Sequence, residues 1–519
     1  MKRFLLSIFI FSFTVAAAFA QDPFEKFKQF SQQSKQTFET AEQRQKKAYL
    51  EFRDKLNEEF AEQMTKDWKS YGAKAPEKKK KEPEVVPVVK PEGEPAPKEN
   101  VKNEITEVVS APKPEPPTVP VIPFLDIYVE EEPFDVVEDF LGKWDDDLKV
   151  APLQVPAPGF EFYGTTCRIR YPSENRFSVE STNNNKLSSL WKRLSKKDFD
   201  VVIFDCLKVK KALDLCDWGY IQMVHKFAGT IFPGQDNETA YLTFYILTQS
   251  GYKLRLSRDI QKSRLHVLVG VDGSITGRLY WVFDGVKFVD IDSEKVPTLL
   301  VCDIKYGNES PAKLAITSSN KFRMKATELR KFESKYDNLK TESTVNANLL
   351  DFYNDYPNFY LDDDPYSTWK YYAQTPLTES TKAVLYPALK EAVDGKPVAD
   401  AVNMILHFVQ TAFDYKYDED VWGGERVFFG EETLHYPYCD CEDRAILYSI
   451  LVRDILGLDV VLVYYPGHLA AATRLEDGTG DYYEVDGNKY FVTDPTFING
   501  CIGDTMTSVR GLGAAIIRL

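Results

Sequence analysis

Residues 438–495 read YCDCEDRAILYSILVRDILGLDVVLVYYPGHLAAATRLEDGTGDYYEVDGNKYFVTDP, and the change of period inside this stretch decides the fold. Ala445, Ile446, Ile450, Leu451 and Ile455 recur at helical spacing, which predicts a buried helix from just after Cys441 to about Gly457. Beyond Gly457 the period is that of strands: Val460–Tyr465, His468–Thr473, Tyr482–Val485 and Tyr490–Thr493. Pro-Gly, Asp-Gly and Gly-Asn pairs supply the turns. A helix followed by an antiparallel meander is expected. It carries Cys441 at the helix N-terminus, His468 at a strand start and Asp494 at a strand end.

Those residue types match the needs of a thiol nucleophile: a thiol, a general base, and a carboxylate that orients the base. A helix N-terminus and a nearby imidazolium both lower a thiol pKa. Asp440, Glu442 and Asp443 oppose this, but the favourable groups are expected to win at contact distance. The reading therefore expects Cys441 Sγ beside one His468 ring nitrogen, with the other nitrogen facing Asp494.

The order Cys, His, Asp along helix, strand and strand resembles the transglutaminase-like core, a branch of the papain-like cysteine-hydrolase superfamily. The matching residues are the Cys441-Glu442-Asp443 helix start, the strand opening at His468, and Asp494-Pro495-Thr496. The resemblance covers residues 346–519 and implies acyl transfer through a thioester, with hydrolysis of a protein or peptide substrate favoured over cross-linking. It also implies an oxyanion or substrate-loop role for residues upstream of the nucleophile, here Gln410 and Trp422. Each residue has a plainer reading too, since a buried cysteine is usually an inert small hydrophobe.

Earlier in the chain, Lys2-Arg3 precede an apolar run, and Ala18-Phe19-Ala20 forms a cleavage pattern before Gln21. Residues 1–20 read as a signal peptide cleaved after Ala20, so export to the periplasm or outside the cell is expected. No stretch reaches the ~18–20 apolar residues of a membrane span, so no transmembrane segment is expected. Residues 21–72 read as one long amphipathic helix, opened by Asp22-Pro23 and striped with Phe24, Phe52, Phe60, Met64 and Trp68. That stripe requires burial, by self-association or by docking on the globular part. Residues 73–123, rich in Pro, Lys and Glu, read as a disordered linker.

An internal echo runs through residues 124–302. MVHKFAGTIF at Met223–Phe232 matches MILHFVQTAF at Met404–Phe413, with His225 and His407 offset by one residue. FDGVKFVDID mirrors VDGNKYFVTDP, and His266 opens a strand as His468 does. Asn237 stands where the second copy has Cys441. The expected fold class is thus α+β, a duplicated transglutaminase-like core whose first copy lacks the nucleophile. Residues 303–345 connect the copies, with a helix expected around Lys321–Asp337. In residues 346–519, Leu377–Val393 and Val398–Phe413 read as helices, the first kinked or split by Pro387. The loop that follows, to Tyr438, is expected to overhang Cys441.

The formal charge of −15 over 519 residues argues against nucleic acid as a partner. Seven cysteines leave at least one thiol unpaired in the monomer. Cys439-x-Cys441 lacks a second sulfur or imidazole pair at metal spacing, so neither metal nor cofactor is expected. The alternative to an enzyme is a non-catalytic envelope scaffold or protein-binding module on the same fold.

Overall fold

The apolar residues after Cys441 form the helix Cys441–Leu451, which runs on into a π-helical turn, Val452–Leu456. Gly457 closes it at φ +67°, a left-handed position that favours glycine. Five antiparallel strands follow, in the spatial order Tyr482–Val485, Asn488–Thr493, His468–Arg474, Val460–Tyr465, Ala515–Arg518. Strand alternation gives the sheet two buried faces. Val461, Val463, Ala470, Ala472, Tyr483 and Val492 join one core. Thr473, of opposite parity, meets Tyr448 of the helix with 2.8 Å between hydroxyls.

These elements belong to a computed structural model that describes residues 52–75, 156–196, 199–318, 320–361, 367–423 and 426–519. The chain divides into two units, Met1–Leu56 and Asn57–Leu519. In the first, the described residues 52–56 are helical. The second is α+β, and its larger sheet has six strands. Their spatial order is Lys69–Gly72, Thr298–Val301, Leu254–Asp259, Arg264–Val271, Val286–Asp290, Tyr280–Phe283, all antiparallel.

Counted from the preceding helix, Asp236–Gln249 or Cys441–Leu451, both sheets share the order 3-4-2-1-5. In the larger sheet Lys69–Gly72 is added at the edge, and Gly273–Ile275 leaves to pair with Phe359–Leu361. That last pairing ties the two halves of the unit together. Gly273 permits it, because a Cβ there would lie 2.4 Å from the Tyr360 carbonyl oxygen.

Several expectations need correction. Helix persists only through residue 64; Lys69–Gly72 is a strand because the edge of Thr298–Val301 offers it a full ladder. No helix forms around Lys321–Asp337: Arg330–Glu333 and Lys340–Ser343 form a hairpin instead. Pro387 does not split its helix, which is continuous over Glu379–Val393. Among the described helices that went unread are Asn184–Leu194, Asp200–Ala212, Ala347–Asp355 and Ser367–Gln374. The signal segment, residues 21–51 of the long helix, and residues 76–123 of the linker lie outside the described residues.

Candidate functional site

Asp440 and Asp443 build the start of the Cys441 helix. The Asp440 N–H donates to Asp443 Oδ2 at 3.2 Å, so the third helical residue caps the first turn. Asp443 Oδ1 also accepts the Phe428 N–H at 2.9 Å, and Asp418 Oδ2 accepts the Arg426 N–H at 2.6 Å. The loop expected to overhang the thiol is therefore fastened beside the helix start by buried carboxylates.

Across from it, His468 Nε2 and Asp494 Oδ2 lie 2.8 Å apart, both largely buried. Asp494 is held in turn by the Thr496 N–H on Oδ1, at 2.9 Å. Tyr465 stacks on the imidazole, ring centroids 6.2 Å apart. Burial alone would lower the His468 pKa; the Asp494 charge and hydrogen bond, with Glu442 beyond, outweigh it and raise the value.

Cys441 reaches the same strand end. Among the groups acting on its sulfur is the backbone N–H of Leu469, the residue after His468. The thiol proton, however, goes to Glu442 Oε2 at 3.1 Å, and no hydrogen bond joins Cys441 to His468. Burial, then the charges of Glu442 and Asp440, push the thiol well above its ordinary value, against the small opposing effect of the Leu469 N–H. The expectation of a lowered thiol pKa is overturned here. Glu442 sits at contact distance and inside the protein, where screening does little. In this resting arrangement the sulfur is a neutral thiol paired to Glu442.

Gln410 takes another place than expected. Gln410 is buried, and its Nε2 donates to the carbonyls of Asp494 (3.1 Å) and Gly500 (2.9 Å). It positions the chain that carries Asp494; its amide hydrogens are used up and supply no oxyanion donor. Trp422 packs edge-on against Phe428 and Tyr436, with the Arg426 guanidinium 4.3 Å from its ring centroid.

Among the described residues, two sets of side chains could hold a cation: Asp418, Asp440 and Asp443, and Asp440, Cys441 and Glu442, the ligand atoms of each set within 4.8 Å of one another. The oxygen-rich first set suits a hard ion. A sequence criterion of paired sulfur and imidazole ligands, which found none here, cannot foresee carboxylates that the fold brings together. All seven cysteines are free thiols.

The larger sheet offers a comparison. Arg264 pairs with Asp259 at the hairpin end as His468 pairs with Tyr465. The Leu265 N–H donates to Asn237 Oδ1 at 2.8 Å, where the corresponding Leu469 N–H acts on Cys441. Asp292 and Asp494 each lie six residues past the start of the fourth strand, Val286 or Asn488. The positions of Cys441, His468 and Asp494 are thus taken by Asn237, Arg264 and Asp292. His266, expected over His468, is two residues deeper in its strand, buried, with Nδ1 3.0 Å from Asp290 Oδ2.

No protein-family model, curated protein or solved structure matches this chain. Among the described residues, no helix is long and apolar enough to cross a membrane.

Proposed function

We propose that the chain is an exported transglutaminase-like thiol acyltransferase, acting mainly as a peptidase or amidase, with Cys441 as nucleophile, His468 as base and Asp494 as its orienting carboxylate. One observation carries the reading: the Leu469 N–H acts on the Cys441 sulfur, and the imidazole of the neighbouring His468 is paired to Asp494 at 2.8 Å. Thiol, base and carboxylate so gather at one strand end.

In the reaction, substrate entry turns the Glu442 carboxyl away from the sulfur. His468 takes the Cys441 proton as Sγ bonds to an amide carbonyl carbon, and the helix-start N–H of Cys441 holds the oxyanion, a contact of the kind that contributes ~2.7–4 kcal/mol. The C–N bond breaks, the amine leaves with the proton from His468, and a thioester remains. Water, deprotonated by His468, then releases the acid. The shared strand order and the Asn237, Arg264 and Asp292 positions support a duplicated core whose first copy is catalytically silent. Residues 1–20 support export.

A second reading, a binding module or scaffold, is favoured by the thiol's bond to Glu442. Acylation with p-nitrophenyl acetate and peptide mapping decides between them. The enzyme reading expects acetyl-Cys441, lost on His468→Ala while near-ultraviolet circular dichroism is kept. Absence of acetyl-Cys441, or an unchanged acylation rate in His468→Ala, establishes the scaffold.

A further inference from the structure

Three side chains from distant segments meet without using Cys441, His468 or Asp494. His407 lies on the helix Val398–Ala412, Asp337 in the turn between Arg330–Glu333 and Lys340–Ser343, and Cys501 in the loop after Asp494. His407 Nε2 is 3.7 Å from Cys501 Sγ, and Nδ1 is 3.2 Å from Asp337 Oδ2. The two ring nitrogens face different partners, which suits passing a proton and does not converge on a metal ion.

The surroundings hold this geometry. Tyr336 packs edge-on to the imidazole, centroids 5.3 Å apart. Thr411 Oγ1 donates to the His407 carbonyl at 2.7 Å and accepts from the Lys335 N–H at 2.9 Å, fixing the Asp337 turn against the helix. The cysteine loop is pinned by Ile502 N–H to Asn403 Oδ1 at 2.9 Å. Gly503, at φ +82°, lies where a Cβ would meet the Thr479 carbonyl oxygen at 2.0 Å. Five of the seven cysteines are buried, and Cys501 shares partial exposure only with Cys441.

We infer that Cys501, His407 and Asp337 form a second thiol centre, one that exchanges with small neutral or cationic disulfides. Acyl chemistry does not suit it, because the Cys501 N–H that would hold an oxyanion is bound to Asp504 Oδ2 at 2.9 Å. The charged groups acting on the sulfur, Asp504 and Asp337, are both acidic and repel an anionic partner. Burial and those two carboxylates hold the thiol above its ordinary value, so its proton leaves only as attack begins.

In the exchange, His407 Nε2 accepts the Cys501 proton as Sγ bonds to one sulfur of the disulfide. The S–S bond breaks, and the departing sulfur takes the electron pair and the proton from His407. Cys501 is oxidised to a mixed disulfide, and the other half of the small disulfide is reduced to a thiol. Asp337 steadies the imidazolium between the two transfers.

The test uses the full chain carrying Cys441→Ser, so that the first centre cannot contribute and its failure would not be mistaken for this one's. Mixed-disulfide formation is followed by intact mass with cystamine and with dithiodipropionate. Cystamine should modify Cys501 about tenfold faster than dithiodipropionate at low salt. Its rate should vary less than about threefold between pH 7 and 8.5, where an unassisted thiol changes about tenfold per unit. His407→Gln should restore the steep dependence. A steep profile with His407 intact, or equal rates for the two disulfides, overturns the inference, and neither depends on the variant folding.

Discussion

At the scale of single residues, Glu442 decides the state of the Cys441 thiol. It accepts the thiol proton at 3.1 Å and, after burial, is the largest cause of the raised thiol pKa. Glu442→Gln removes that charge and keeps the shape. The thiolate fraction at pH 7 should then rise, and iodoacetamide should label Cys441 roughly tenfold faster. Peptide mapping after timed alkylation reads this directly, and an unchanged rate would relieve Glu442 of that role. The sequence named all three acidic neighbours and weighed them as exposed charges. Their burial, which reverses the balance, is a property of the folded loop and has no local signature.

At the scale of elements, the short helix Gly430–His435 is docked on the start of Glu379–Val393 through a buried acid. Glu431 Oε1 accepts the Thr378 N–H at 2.6 Å. Burial chiefly, with Glu432 adding, lifts the Glu431 pKa from 4.5 to about 7. A carboxyl raised on folding contributes stability that is present below its unfolded value and lost as pH rises through the folded one. The contact should weaken between pH 4.5 and about 7. Glu431→Gln keeps the acceptor and cannot ionise. It should match the parent near pH 5 and exceed it at pH 8 by on the order of 1–3 kcal/mol in urea unfolding. Equal stabilities at pH 8 would show that Glu431 stays neutral by other means.

Elements of this kind differ in how far they can be read. Val460–Tyr465 and Tyr482–Val485 have the bounds that periodicity assigns, because each strand is short, apolar and closed by Gly turns. Asp200–Ala212 is buried nearly all round, so it carries no amphipathic stripe to reveal it. Lys69–Gly72 is a strand only because Thr298–Val301, remote in sequence, offers an edge. Cys441, His468 and Asp494 lie in one readable stretch. Cys501, His407 and Asp337 do not, and no spacing rule connects them.

At the scale of the molecule, residues 57–519 form one unit, although the sequence reads as two copies in separate domains. Phe60 tests which description governs unfolding. Its ring is buried, 4.6 Å from Trp191 and 5.3 Å from Tyr306, beneath the six-stranded sheet's half of the unit. Truncation to alanine opens a large apolar void, a change that costs about 3–5 kcal/mol. If the halves unfold together, as the pairing of Phe359–Leu361 with Gly273–Ile275 favours, Phe60→Ala should lower a single calorimetric transition without broadening it. Acylation of Cys441 would then be lost at the same lowered temperature, although Phe60 touches nothing in that site. Two transitions, of which only one moves, would mean that the Cys441 sheet stands alone and that the strand pairing between the halves is too weak to couple them.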